Sequence, residues 1–394
     1  MLVLRYFFFI LFFYNSIQIY QYVSDKYSYQ YEDWLINYSN GFVRRGIIGE
    51  FLIQFSEFSG VNLQILVFIL LILLLFFLYY YSFKLFSKIR INLIYLFLIF
   101  SPYFFIFYLA NHNAGIRKEF FLFIFFGLIA SIINLQNLKK KLWVFSVFFP
   151  FLIFIHEAIF FYLPIYIMVL LALISNKNHD LILKQIFITV LFSIIIFYLS
   201  FIFKGSEGHV KIICESLKTH VKETCFFGGA INHLKDKLAP SVKLVMYEHN
   251  LKSLAQWTLI SLYSFAPILY LLKKIKFQKN NLIEKYSKIE TKKFFLIGII
   301  LSFVGILPLF VVAFDWGRWL SMYYHTLAFF IIFLHKNKII FLKTKFIKKI
   351  NFRILLILII YSTFVTPVVF DKVSSKDERP YKLNYINLIK KNFN

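Results

Sequence analysis

LWVFSVFFPFLIFIHEAIFFYLPIYIMVLLALI, residues Leu142–Ile174, is the stretch that decides how this chain is threaded. It is apolar for 33 residues apart from His156-Glu157 near its middle. A helix rises about 1.5 Å per residue and needs roughly 20 residues to cross a hydrocarbon core of about 30 Å. The run is therefore too long for one comfortable crossing and short for two. Flanking charge resolves it, because Lys and Arg accumulate in the short cytoplasmic segments of membrane proteins. If the chain turns near His156-Glu157, the cytoplasmic segments are the N-terminus, 82–90, 134–141, 175–185, 273–293 and 335–354. These carry 24 of the 44 Lys and Arg, against six in the short outer loops 24–60, 111–119 and 314–319. A single crossing would put the most basic segments outside. Two crossings are the consistent reading.

Outward from that run, the other apolar stretches lie at about Arg5–Tyr22, Val61–Tyr81, Ile91–Ala110, Phe120–Ile133, Ile186–Phe203, Trp257–Leu272, Phe294–Ala313, Leu320–Leu334 and Leu355–Val369. The first has no small-residue cleavage site and reads as a retained signal anchor. The expected fold is all-α: a polytopic helical membrane bundle of about 11 transmembrane helices, N-terminus in and C-terminus out. Residues 1–394 form one membrane domain, since the 204–256 loop is too short for an independent core. Composition agrees. The chain is 60% hydrophobic and only 16% charged, whereas soluble domains are about a quarter charged. The formal charge of +25 lies in loops between spans, so topology explains it. The expected partner is the lipid bilayer, with no nucleic acid.

This threading places several polar groups on the outer side. Glu32 and Asp33 follow the first span; a carboxylate there can act as a general base or hold a metal. Arg44 and Arg45 precede a stripe of Ile47, Ile48, Phe51, Leu52, Phe55 and Phe58, opposite Glu50, Gln54 and Glu57. Such a helix, at 46–59, suits the plane of the membrane interface, and the two arginines at its start suit a phosphate. Asn111-His112-Asn113 with Arg117 and Lys118 offers further cations. His156 and Glu157 are ionisable groups at a depth where such groups usually face a cavity. In FDWGRW (314–319), Asp315 and Arg318 share a helix face and can pair, leaving Arg318 a pyrophosphate ligand or a structural tie. Cys214 and Cys225, the only cysteines, read as a disulfide closing a short outer loop.

The acidic pair in the first outer loop, followed by an interfacial helix, resembles the GT-C class of integral-membrane glycosyltransferases and, more loosely, the O-antigen polymerases of surface-polysaccharide clusters. The resemblance covers the layout of the first two spans. It implies Asp33 or Glu32 as catalytic base or ligand of a divalent metal. It implies a polyprenyl-linked sugar as substrate, held through phosphate by Arg44, Arg45, Arg117, Lys118 and Arg318, with His156 and Glu157 lining the acceptor site. It also implies a bacterial inner membrane and other polysaccharide-assembly proteins as partners. Two other activities use the same residues: a flippase or transporter of lipid-linked sugars, and a membrane acyltransferase with His156 as base. The threading itself predicts that a periplasm-active reporter enzyme fused within 204–256 is active, while the same reporter within 273–293 is silent; the reverse pattern would overturn the two-crossing reading.

Overall fold

In lipid, a backbone can satisfy its own N–H and C=O groups only as a helix or a closed barrel, and long apolar runs without period-2 alternation take the helix. The protein, seen in a computed structural model, follows that rule. The structure describes residues 2–25, 28–89, 91–110, 116–133, 138–220, 225, 229–236, 241–243, 245, 251–342, 350–367 and 381–383. Asn111-His112-Asn113 lies outside them. In chain order the helices are α1 (Leu2–Ser24), α2 (Tyr29–Leu35), α3 (Gly46–Ser59), α4 (Leu63–Ser87), α5 (Leu93–Ile99), α6 (Phe105–Ala110), α7 (Phe120–Ile132) and α8 (Leu138–Ile155). A 3-10 turn (Glu157–Tyr162) leads into α9 (Leu163–Ala172), α10 (His179–Ile202), α11 (Glu207–Leu217), α12 (Leu251–Lys274), α13 (Asn281–Ser287), α14 (Thr291–Val312), α15 (Trp316–Lys336) and α16 (Phe352–Phe364). A second 3-10 turn (Asn232–Lys235) and two short antiparallel ribbons complete the described elements: β1 (Ile275–Phe277) with β2 (Ile340–Leu342), and β3 (Val365–Pro367) with β4 (Tyr381–Leu383).

The architecture is an all-α membrane bundle. Among the described residues five helices, α1, α4, α10, α12 and α14, are long and apolar enough to cross a membrane, and shorter apolar helices fill the space between them. The expected run Ile91–Ala110 is not one helix. It breaks between α5 and α6, where Pro102 lacks the N–H a helix needs and pushes its predecessor out of the helical region; Ser101 instead donates its hydroxyl to the Ser264 carbonyl at 2.9 Å. The last apolar stretch also stops short. Its helix ends at Phe364, and Val365-Thr366-Pro367 is a strand, as β-branched residues before a proline favour. The long run breaks at His156, whose backbone is extended (φ −155°) and whose ring accepts the Ala158 N–H at 3.2 Å.

α15 is buried on every side from Gly317 to Leu334, which marks it as the central helix. It packs on α7, α9 and α14. At its far end Lys336 donates to the Ala130 and Ser131 carbonyls (2.9 and 2.8 Å) and Lys141 to that of Ile132 (3.3 Å), capping the exposed carbonyls of α7 with positive charge. At the opposite end α3 presses Gly49, Leu52, Ile53 and Ser56 onto the bundle and turns Phe51, Phe55 and Phe58 outward, Phe58 being 90% exposed. Gly49 is required there: a Cβ would lie 2.1 Å from the Ile36 carbonyl oxygen. Gly49→Ala is therefore expected to destabilise by about 1–3 kcal/mol through overpacking, read as a lowered thermal midpoint in detergent. Gly127→Ala in α7, whose Cβ meets nothing nearer than 3.8 Å, should not lower it.

Candidate functional site

The loops at the α3 end of the bundle are pinned before any charge is considered. Ser28 caps α2, accepting the Tyr31 N–H at 3.2 Å. Trp34 donates its indole N–H to the Ile116 carbonyl (3.0 Å), and the Tyr22 hydroxyl accepts the Ile116 N–H (3.1 Å). The segment 116–119 is thus fixed between the end of α1 and the last turn of α2. Arg44 donates its backbone N–H to the Phe203 carbonyl (3.0 Å), tying the α2–α3 loop to the end of α10. Arg45, the residue before α3, is left-handed (φ +65°), and the buried Lys118 ammonium holds its carbonyl at 2.7 Å.

On this frame the structure brings together ten charged side chains from five separate stretches. Asp33 is fully buried, and neither of its carboxylate oxygens has a hydrogen-bond partner among the described residues. Glu32 beside it points elsewhere, accepting the backbone N–H groups of Cys225 (2.8 Å) and Ile231 (3.4 Å). That approach is close: a Cβ on Gly229 would fall 2.0 Å from Glu32 Oε2. Cys225 is joined to Cys214 by a disulfide, so Glu32 ties that cross-linked cysteine to α2. Glu157 takes both arginines of the α2–α3 loop, Arg45 Nε at 2.8 Å with its Nη2 closer still, and Arg44 Nη1 at 3.3 Å. Asp315 Oδ2 bridges Arg318 Nη2 (2.8 Å) and Arg117 Nη1 (3.6 Å). Arg318 Nε also faces Glu119 Oε1 at 3.5 Å. Arg117 stacks on Tyr29 (4.6 Å) and Arg318 on Trp319 (4.4 Å).

Five basic and five acidic side chains meet here, which keeps the buried cluster close to neutral, as buried charges require. The arginines read from the sequence as phosphate ligands are each engaged by a carboxylate: Arg44 and Arg45 by Glu157, Arg117 and Arg318 by Asp315. Glu119, which the sequence reading left without a role, faces Arg318 Nε at 3.5 Å as a second carboxyl beside Asp315. It could have been noticed as a lone acid directly after Arg117-Lys118 and ahead of an apolar helix.

The electrostatics separate the acids. Burial pushes the Asp33 carboxyl up, but Lys118, Arg117 and Arg45 outweigh it and hold it below the usual carboxylate range. Burial dominates for its neighbours: the Lys118 ammonium is pushed down to about 8 and the Glu119 carboxyl up to about 7. At neutral pH Asp33 is ionised and Glu119 is close to half protonated. His156 is fully buried; because its Nδ1 accepts from Ala158, the neutral ring carries its proton on Nε2, a donor with no partner among the described residues. Its ring lies 6.5 Å from that of Trp319, whose indole N–H is likewise unpartnered. Unpartnered buried donors and acceptors facing one region are what a ligand or ordered water would satisfy.

Among the described residues no three His, Cys, Asp or Glu side chains come together as a metal site. No family model matches the chain, and no curated protein or solved structure matches it.

The raised Glu119 carboxyl fixes a pH dependence. Below the ordinary glutamate range both folded and unfolded chains hold this proton; between about 4.5 and about 7 the folded chain binds more of it. Stability from this group is therefore lost as pH rises through that window. Glu119→Gln, which keeps the shape and removes the titration, should flatten the fall in thermal midpoint between pH 5 and pH 8; an unchanged slope would show that Glu119 is not the group responsible.

Proposed function

We propose that this chain transfers glycosyl groups, or joins polysaccharide repeat units, from a polyprenyl-linked donor at the extracytoplasmic face of a bacterial inner membrane. The observation that carries the reading is Asp33, a buried ionised carboxylate with both oxygens unpartnered among the described residues, in the loop after the first span. Asp33 accepts the proton of an acceptor hydroxyl. That oxygen bonds to the anomeric carbon, and the bond from that carbon to phosphate oxygen breaks, its electron pair leaving with the phosphate. A carboxylate held low is a weak base, so the proton passes only as the hydroxyl oxygen bonds and turns acidic. His156 Nε2–H orients the acceptor, and Lys118 keeps Asp33 charged until the proton arrives.

The leaving phosphate needs cations, and Arg117 and Arg318 are the pair that can supply them. Both meet the same Asp315 oxygen, so a phosphate displacing that one carboxylate reaches both guanidiniums, with Glu119 still facing Arg318 Nε. Preorganised positive charge on the leaving group is typically the largest single contribution to such a reaction. Glu32 and Glu157 have positioning roles: one fixes the disulfide-closed loop, the other the two arginines ahead of α3.

Transport of the same lipid-linked sugars is the second reading, favoured by the complete burial of Asp33 and His156, which also suits an occluded carrier. Surface-polysaccharide profiling of a deletion strain complemented with wild type, Asp33→Asn or His156→Ala separates the two. With membrane levels matched, Asp33→Asn should lower transfer by about 10²–10⁴-fold, leaving the polymer absent or reduced to single units. A normal profile from Asp33→Asn would remove it as the base and favour transport.

A further inference from the structure

The charged cluster at the α3 end is compensated within the chain. The opposite end of the bundle is not. From Arg318 to Lys336, α15 rises about 27 Å at 1.5 Å per residue, close to the roughly 30 Å of a hydrocarbon core. At that far boundary Lys84 and Lys88 from the end of α4, Lys141 from α8 and Lys336 from α15 come together at the carbonyl end of α7.

Nothing acidic answers them. The three segments that supply these lysines, 82–90, 134–141 and 335–354, carry 13 Lys and Arg and no Asp or Glu. Among the described residues the lysines with an ion-pair partner are Lys235 and Lys279, neither of them here. What compensation there is comes from backbone. Lys336 donates to two α7 carbonyls and Lys141 to a third, and a helix C-terminus offers about half a negative charge. Against four ammonium groups that leaves an excess of about three positive charges. Each ammonium has three donors, so Lys336 keeps one and Lys141 two for an outside acceptor. The crowding registers on Lys336, in the segment 335–354: burial pushes its ammonium down to about 8, and Lys88, Lys141 and Lys84 press the same way. Like charges gathered at a half-buried site cost the fold energy unless an anion joins them.

The approach to the lysines identifies what carries that anion. On the outward face of α4, Phe76, Phe77 and Tyr80 are exposed. The Phe76 and Tyr80 rings stack at 5.8 Å, and the Lys84 ammonium lies over Tyr80 at 5.6 Å. An apolar ladder thus leads along the helix to positive charge at the membrane boundary. A soluble phosphate would use the lysines alone. A phospholipid uses both features, and basic sites beside spans on the cytoplasmic side are where anionic headgroups bind.

We infer that an anionic phospholipid of the adjacent leaflet binds here as a ligand, its headgroup phosphate among Lys84, Lys88, Lys141 and Lys336 and one acyl chain along Phe76 and Tyr80 of α4. The inference does not depend on the glycosyl-transfer reading.

The test uses full-length protein freed of lipid in a neutral detergent, then given phosphatidylglycerol, phosphatidylcholine with the same acyl chains, or inorganic phosphate. Phosphatidylglycerol should raise the thermal midpoint and persist as a bound adduct in native mass spectrometry; the other two should do neither. Equal effects of the two lipids, or inorganic phosphate matching phosphatidylglycerol, would overturn the inference. Lys84→Gln combined with Lys88→Gln removes two ammonium groups that hold no α7 carbonyl. This variant should weaken phosphatidylglycerol binding by about 5-fold for each lysine lost without lowering the midpoint of the lipid-free protein, since it relieves repulsion. Lys285→Gln, on α13 and not among the lysines that act on Lys336, should leave binding unchanged. A loss from Lys285→Gln as large as that from the α4 lysines would show general charge attraction and remove the site. If the double variant is poorly made, the comparison of lipids on the wild-type protein decides alone.

Discussion

Charge compensation under burial is the constraint on which the rest of this structure depends. At an effective dielectric near 20, opposite charges 4 Å apart attract by about 4 kcal/mol, but removing one partner of a buried pair costs about 3–5 kcal/mol because the other is stranded. Five cations and five carboxylates from distant parts of the chain meet at one end of the bundle, so the loops bearing them are held in place by one another. The pair Glu157 with Arg45 joins residues 112 positions apart, and Arg318 with Glu119 links the start of α15 to the start of α7. The apolar helices supply the walls, and the ion pairs fix the register at which they meet.

Much of the fold was legible because lipid leaves few choices. Apolar runs near span length had to be helices, and His156-Glu157 had to interrupt the longest of them. Pro102 was an equally plain signal against a single Ile91–Ala110 helix, outweighed by the length of the apolar run around it. The short last helix was harder to read, since Val365 and Thr366 are apolar or small enough to continue a hydropathy window while preferring a strand.

The site was legible in its membership more than in its wiring. Residue type and topology bring Asp33, His156, Arg117 and Arg318 to one end, but pairing is a long-range property. Nothing local distinguishes Glu32, which accepts backbone N–H groups from the loop of Cys225, from Asp33, which accepts none among the described residues. Adjacent residues on a helix point about 100° apart, so neighbours in sequence meet different surroundings. Likewise no feature of Arg44-Arg45 announces that Glu157 occupies them. An arginine pair looks like an anion site until its carboxylate is found.

The left-handed backbone of Arg45 sets local strain against charge compensation at one position. Glycine adopts such a conformation freely, while any residue with a Cβ resists it. Replacing Arg45 with glycine would relieve that backbone by about 1–2 kcal/mol. The same replacement would strip Glu157 of its closest counter-charge and leave Lys118 holding a carbonyl on a slacker loop. Stranding a buried partner costs about 3–5 kcal/mol, more than the backbone regains, so the arginine is held in a conformation it resists by the charge it answers, and consensus-style stabilisation of this protein should leave Arg45 alone.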